Sequence, residues 1–142
     1  MKRFLACLAV WLLPLHAALA EGMVIVAHPS VPRMDQATVQ RVYTGRVIEI
    51  GGVSVVPLNA PPGHPDRTRF LRDYLQQDDE KYIGYWTVRR YIGKGTPPRE
   101  VNSGEMASTI QTTPGAIGYL PESELRPGMN VILRRPTEEA HR

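Results

Sequence analysis

Residues 23–27 read Met-Val-Ile-Val-Ala, a continuous apolar run rich in β-branched side chains. An apolar run without alternation is typical of a strand that is buried on both faces, and it favours a parallel strand. A loop fixed by Pro29 and Pro32 follows, and Asp35 stands where the N-cap of a helix through Tyr43 is expected. A buried strand that leads through a short loop into a helix is typical of α/β folds.

Strands and helices continue to alternate after this first unit. Gly51 and Gly52 predict a turn, and Asn102 followed by Glu105 resembles a capping box at the start of a helix. The pattern predicts further strands at 53–58, 116–120 and 131–133, and further helices at 66–76, 78–92 and 102–112. The sequence therefore predicts an α/β domain, with a small sheet and helices on both of its faces.

The predicted helix that opens at Asp78 carries two apolar stripes. One stripe contains Ile83 and Trp86, and the other contains Val88 and Ile92. Because the two stripes lie on different sides of the helix, we expect this helix to be covered on two sides, with Trp86 largely buried.

The composition fits a single folded domain. The chain has 142 residues, with 17 Lys and Arg against 14 Asp and Glu, and 42% of its residues are hydrophobic. These values exclude an intrinsically disordered chain and favour one domain over two. After the first 20 residues there is no apolar run long enough to cross a bilayer. We expect the domain to occupy residues 21–135 and residues 136–142 to form a frayed tail.

The first 20 residues have the pattern of a secretory signal peptide. A short basic segment precedes an apolar stretch, and Ala18-Leu19-Ala20 supplies the small residues of a cleavage site. The single cysteine, Cys7, lies inside this segment, so cleavage after Ala20 leaves a chain without cysteine. Disulfide scaffolds and cysteine-based zinc sites are thereby excluded. The sequence predicts export to a bacterial periplasm.

Arg67 is the strongest candidate for a binding residue. On its predicted helix it shares one face with Phe70 and Tyr74, so an arginine lies in the first turn of a stripe that should be buried. Open α/β sheets bind ligands where a strand leads through a loop into a helix, and a guanidinium supplies paired donors for an oxyanion. The same spacing also fits an arginine that pairs with an acid such as Asp66 or Glu105. Both interpretations stay open from the spacing alone.

Other chemistry is not supported by the sequence. His28 and His64 lie in separate loops without metal-binding spacing, and we predict neither a metal site nor a cofactor. Serines are present, but none lies in a nucleophile-elbow motif, and no carboxylate pair marks a cleft, so we predict that the chain is not an enzyme. The basic residues are spread along the chain, which argues against a nucleic-acid partner.

Six segments together resemble a known family, the phosphate-binding proteins of bacterial ABC transporters. They are 24–29, 42–46, 55–58, Arg67 with Phe70 in the family's R-x-x-F, Trp86 with Gly93, and 114–119, which reads Pro-Gly-Ala-Ile-Gly-Tyr and is the most specific piece. The resemblance covers nearly all of residues 23–133. It implies a fold like one lobe of a type II periplasmic binding protein, since the mature chain is long enough for about one lobe.

The resemblance also implies an anion site, with a departure from the family pattern. Arg67 is the family contact that carries over, whereas the family's Ser-Gly-Thr before this arginine is here His64-Pro65-Asp66. The hydroxyl groups that help to hold phosphate are therefore absent, and the Asp66 carboxylate would repel an anion. We expect Arg67, Ser30, His64 and Gly118 to surround a ligand-binding concavity.

Two functions follow as expectations. The first is a solute-binding-like domain that binds phosphate or another small oxyanion for uptake or sensing. The alternative is an interaction module that kept the fold, lost the ligand, and contacts an envelope or transporter protein.

Overall fold

The computed structural model describes residues 22–135. The predicted signal peptide, residues 1–20, and the predicted tail, residues 136–142, lie outside the described residues. The strands of the described part are β1 (Met23–Ala27), β2 (Glu49–Ile50), β3 (Val53–Ser54), β4 (Val56–Asn59), β5 (Arg99–Glu100), β6 (Ala116–Pro121) and β7 (Asn130–Arg134). Its α-helices are α1 (Gln36–Tyr43), α2 (Pro65–Phe70), α3 (Asp79–Tyr91) and α4 (Ser103–Thr112). A π-helical turn (Leu71–Leu75) extends α2, and a 3₁₀ turn (Glu122–Glu124) follows β6.

A mixed five-stranded sheet forms the centre of the molecule, in the order β5-β4-β6-β1-β7. Strand β4 is parallel to both β5 and β6, whereas β1 is antiparallel to β6 and to β7. The prediction of a parallel β1 was therefore wrong. An unbroken apolar run reports burial on both faces of a strand, and it does not report the direction of the neighbouring strands, which is set by distant segments.

The two faces of the sheet carry separate hydrophobic clusters. Met23, Ile25 and Ala27 of β1 face the layer formed by α1, α2 with its π-helical turn, and α3. Val24 and Val26 face α4 on the other side. Successive side chains of a strand point to opposite faces, which is why both sets can be buried at once. The structure confirms the predicted α/β class, with a small sheet and helices on both faces.

The helix starts follow local sequence signals. The carboxylates of Asp35 and Asp78 accept hydrogen bonds from the backbone N–H groups of the first turns of α1 and α3, as N-cap residues do. Helix α2 begins at Pro65, one residue earlier than predicted, because His64 supplies its cap: Nδ1 accepts from the N–H of Asp66 at 3.1 Å. Asn102 is the N-cap residue of α4 but forms no side-chain capping bond, so the predicted capping box is not formed.

The predicted strand at 53–58 is divided in two. Val53–Ser54 pairs with Glu49–Ile50 in a small hairpin around the predicted Gly51-Gly52 turn, and the chain joins the main sheet from Val56 onward. The break at Val55, whose N–H donates to the carbonyl of Ile48, separates the two pairings.

Helix α3 lies in the same layer as α1 and α2, and one of its faces is exposed. Tyr82 and Trp86 are buried, as predicted for Trp86, but Ile83, Val88 and Ile92 are exposed. The expectation of a helix covered on two sides was therefore wrong. Apolar spacing shows which residues share a stripe, but whether another element covers that stripe depends on the rest of the fold.

Candidate functional site around Arg67

Arg67 lies at the carboxyl end of β4, where the chain turns from the strand into α2. Pro65 and the His64 cap fix the start of this helix, and they place Arg67 in its first turn. The side chain points inward together with Phe70, as the predicted stripe required, and Arg67 retains 4% of its accessible surface. A buried cation needs partners, because taking a charge out of water is costly unless it is paired.

Carboxylates from distant parts of the chain surround the Arg67 guanidinium. Its Nε and Nη2 each lie 2.8 Å from Oδ1 of Asp79, in the first turn of α3. Its Nη1 donates to the carbonyl of Ala60 at 3.2 Å and lies 3.6 Å from a carboxylate oxygen of Glu100. The other Asp79 oxygen accepts from the backbone N–H of Gly63 at 3.0 Å. The Asp79 carboxylate thus occupies the paired-donor edge that an external oxyanion would use.

A cavity of about 220 Å³ opens beside this ion pair. Aromatic, aliphatic and proline side chains line most of it, including Tyr82, Trp86 and Pro97. Arg90 lies in its wall and forms no ion pair with any residue in the described part of the chain. The cavity is mostly apolar, with one free cation at its edge, and this lining suits an apolar group better than a fully hydrated anion.

Buried tyrosines fix the backbone below the cavity. The hydroxyl of Tyr119 donates to the side-chain oxygen of Asn59 and accepts from the N–H of Ala60. The hydroxyl of Tyr82 donates to the carbonyl of Tyr43 at 2.7 Å. Burial raises the pKa of both Tyr82 and Tyr119, so these hydroxyls stay protonated donors at neutral pH.

The four predicted ligand-binding residues do not converge. Arg67 and His64 lie together at the start of α2, but the His64 ring is used as a helix cap. Ser30 accepts from the N–H of Gly115 at 3.1 Å, at the start of β6. Strand β1 runs antiparallel to β6, and β6 runs parallel to β4. The loop after β1 therefore lies beside the amino ends of β4 and β6, whereas Arg67 lies beyond the carboxyl end of β4.

Gly118 lies on the face of the sheet that packs against α4. A Cβ atom at this position would come within 2.7 Å of Ile110 and 2.8 Å of Met106, both in α4. The missing side chain lets α4 pack closely on β6, which is the alternative role that a glycine inside a strand suggests. The predicted concavity of Arg67, Ser30, His64 and Gly118 is therefore not formed.

The partners of Arg67 differ from those expected. Of the two interpretations left open, the structure shows an arginine that pairs with acids, but the acids are Asp79 and Glu100 rather than Asp66 or Glu105. The acidic first turn of α3, with Asp79 and Glu80, is visible in the sequence, but acids in this position are also typical of the positive end of any helix dipole. Nothing in the local pattern indicated that this turn packs against α2.

Residues 22–135 contain no group of three or more His, Cys, Asp or Glu side chains placed to hold a metal ion. The same part of the chain contains no helix with the length and apolarity needed to cross a bilayer.

Solved structures show what the fold is similar to. An ABC-type phosphate transport receptor from Vibrio cholerae superposes with a TM-score of 0.56 at 14% identity, covering 84% of this chain and 49% of the receptor. A second structure, described as a putative phosphate ABC transporter substrate-binding protein with bound phosphate from Clostridium perfringens, gives 0.54 at 18% identity, covering 79% and 44%. No protein-family model and no curated protein matches the chain.

These similarities define the class of fold. The chain has an α/β fold that resembles one lobe of a periplasmic binding protein, and it spans about half the length of the solved structures that it matches. The resemblance to phosphate-binding proteins predicted from the sequence is confirmed at the level of the fold. The similar structures are solute-binding proteins rather than enzymes.

Proposed function

We propose that the chain is an exported domain with a binding-protein fold that acts by contacting another protein of the cell envelope, without capturing a free oxyanion. The observation that carries this proposal is the ion pair between Arg67 and Asp79. The Arg67 guanidinium is buried, and the two donors on one of its edges both point at a single carboxylate oxygen of the protein itself.

The local charges oppose an incoming anion. A phosphate at Arg67 would have to displace Asp79 and would then lie close to two carboxylates, those of Asp79 and Glu100. Like charges at such distances repel, and water screens the repulsion less at Asp79, whose side chain is 24% exposed, than at Glu100, whose side chain is 54% exposed. The Ser-Gly-Thr hydroxyls of the family pattern are also replaced here by His64-Pro65-Asp66, and the His64 ring accepts a backbone hydrogen bond.

Oxyanion binding is the second candidate, and two observations favour it. Arg90, in the wall of the cavity next to Arg67, has no ion-pair partner among residues 22–135. One of the similar structures was determined with bound phosphate. In this alternative, Arg90 and Arg67 together hold phosphate or a related anion, and the Asp79 carboxylate moves aside.

Calorimetric titration of the purified protein with phosphate and sulfate separates the two functions. We expect no saturable heat at millimolar anion for the wild-type protein. A matched variant, Asp79→Asn, keeps the size of the side chain and removes the charge that blocks Arg67, so any weak phosphate binding should appear in this variant first. Micromolar phosphate binding by the wild-type protein that is lost in a folded Arg90→Ala variant would overturn the proposal in favour of the second candidate.

Export is the other part of the proposal, and it rests on the signal-peptide pattern of residues 1–20. Mass spectrometry of the periplasmic fraction of an expressing bacterium should show a chain that starts at Glu21. A full-length chain that stays in the cytoplasm would contradict this part of the proposal and leave the titration result unaffected.

A further inference from the structure

The outward face of α3 is an unusual surface for a folded domain. Four of the five large hydrophobic side chains that are exposed in the described part of the chain lie in or directly after this helix: Ile83 (44% exposed), Val88 (61%), Tyr91 (92%) and Ile92 (57%). Single exposed apolar residues are ordinary on protein surfaces, but Ile83 and Tyr91 share one side of this helix, and Val88 and Ile92 continue the exposed apolar surface around it.

The residues of this face are spaced symmetrically about Thr87. Ile83 and Tyr91 lie four residues before and after it, and residues four apart are neighbours on a helix surface. The Thr87 hydroxyl donates to the carbonyl of Ile83 at 2.9 Å, so it needs no outside partner. Gly84 lies beside this line, and a Cβ atom added to it would meet no atom within 4 Å, which leaves room for a large side chain from a neighbour.

The charges at the two ends of the helix are complementary. Glu80 is exposed in the first turn and Lys94 follows the last turn, held there by the hydrogen bond from its N–H to the carbonyl of Arg89. Neither Glu80 nor Lys94 forms an ion pair within residues 22–135. They are seven residues before and seven residues after Thr87, so this helix is acidic at one end and basic at the other, on either side of an apolar centre.

We propose that two copies of the chain pair through this face, with their α3 helices antiparallel and a twofold axis near Thr87. This arrangement places Ile83 of one copy opposite Tyr91 of the other, and Glu80 opposite Lys94. A twofold axis forms every such contact twice. A parallel arrangement would bring like charges together, whereas the antiparallel one pairs opposite charges and opposite ends of the helix dipoles.

This inference rests on the proposed function, because it names the second copy as a protein that the domain contacts. The two can nevertheless fail separately. The anion titration measures binding at the buried Arg67 guanidinium, and the association state measures contact through the exposed side chains of α3, of which Ile83 and Thr87 also line the cavity beside Arg67. A monomer that binds no oxyanion would overturn the dimer and leave the proposed function with a different partner.

The mass of the purified protein in solution is the first test. Light scattering coupled to size-exclusion chromatography should give twice the chain mass at micromolar concentration. Tyr91→Asp should shift the protein to monomer, because it places a charge in the apolar centre, and the fold should be unaffected since this side chain is exposed. Ile48→Asp is the matched control, because Ile48 is 75% exposed and lies outside α3. It should leave the dimer intact.

Charge exchange tests the antiparallel arrangement. Glu80→Lys and Lys94→Glu should each raise the dimer dissociation constant roughly tenfold, because each places like charges opposite one another at two symmetric positions. The double variant carries both exchanges and should return the dissociation constant to near the wild-type value. A monomeric wild-type protein, a dimer that is insensitive to Tyr91→Asp, or a double variant no better than the single variants would overturn the proposal.

Discussion

Arg67 holds together three segments that are distant in sequence. Its guanidinium binds Asp79 of α3, the carbonyl of Ala60 in the loop after β4, and, at 3.6 Å, Glu100 of β5. Arg67→Ala should lower the free energy of unfolding by about 2–4 kcal/mol. The reason is that removal of one partner leaves the other charge partly buried and unpaired, and Asp79 keeps some contact with water. Urea denaturation followed by circular dichroism measures this change.

The matched control for Arg67 is Arg90, which lies in the same cavity wall without an ion pair among residues 22–135. Arg90→Ala should change the free energy of unfolding by less than about 0.5 kcal/mol, as is usual for exposed positions. Equal losses for the two variants would show that the Arg67 ion pair contributes little to stability.

Tyr82 is a second residue whose polar atom is placed by the fold. Its hydroxyl donates to the carbonyl of Tyr43 at the end of α1, and Tyr82 is 2% exposed. Tyr82→Phe keeps the ring and leaves a buried carbonyl without this donor, so it should cost about 1–3 kcal/mol in urea unfolding. Tyr91→Phe removes a hydroxyl from a side chain that is 92% exposed, and it should cost nothing measurable. Similar values for both variants would mean that the buried hydrogen bond adds no net stability.

Sequence patterns predicted the position of Arg67 but not its partners. The spacing that puts Arg67 on the same face as Phe70 and Tyr74 is local, and the structure confirms that all three are buried. The main partner of Arg67 could not be obtained in the same way. Asp79 is 12 residues away and belongs to another helix, so the contact depends on how two helices pack rather than on a pattern within either.

The turn from α4 into β6 is tightly constrained by its glycine. Gly115 has a φ of 78°, and a Cβ atom there would overlap the backbone carbonyl of Ser54. Its own carbonyl accepts from the N–H of Val56 at 2.8 Å at the start of β4. Gly115→Ala should therefore destabilise the protein by roughly 3 kcal/mol or more, through backbone strain together with overlap against a fixed neighbour. Thermal and urea unfolding measure this loss.

Gly128 provides the comparison for Gly115. It has a similar φ of 84°, but a Cβ atom added to it would meet no atom within 4 Å. Gly128→Ala should cost only the left-handed conformation, about 1–2 kcal/mol. A loss of stability for Gly115→Ala no larger than that for Gly128→Ala would show that Gly115 does not lie as close to the Ser54 carbonyl of β3 as the structure places it.

At the scale of elements, most local signals predicted the structure correctly, whereas the arrangement of distant segments was not predicted. The Asp35 cap was predicted from a side chain that bonds within one turn, and it is formed, whereas the capping box predicted at Asn102 and Glu105 is not formed. The direction of β1 and the covering of α3 were predicted wrongly, because both depend on which distant segments become neighbours. The expected meeting of Ser30 with Arg67 failed for the same reason, since it required the parallel β1.

For the molecule as a whole, the fold class was predictable because strands and helices alternate and the hydrophobic residues suffice for two packed faces. The site was less predictable, because Ser30 and Gly118 stabilise the fold at places away from Arg67. Ser30 binds the turn before β6, and Gly118 accommodates α4. A single sequence does not distinguish a residue that stabilises the fold from one that binds a ligand.

The larger of the two hydrophobic clusters contains four buried tyrosines that must stay neutral. Burial raises the pKa of Tyr43, Tyr74, Tyr82 and Tyr119 above the usual value of 10.0. In the unfolded chain these groups lose their protons from about pH 10, whereas in the folded protein they keep them. Above that pH the unfolded state binds fewer protons than the folded state, so stability must fall as the pH rises, and it is fully retained below about pH 10.

Between its unfolded and its folded pKa, a buried tyrosine contributes at most about 1.4 kcal/mol per pH unit to the loss, so the four together predict alkaline unfolding. Urea unfolding at several pH values between about 8 and 11.5, with tyrosinate absorbance recorded in parallel, measures this slope. Tyr74→Phe removes one of the four groups and should make the slope less steep, whatever its effect on stability at about pH 8. Tyrosinate absorbance that reaches its full value while the protein is still folded would contradict the prediction, because the buried hydroxyls would then be ionising without unfolding.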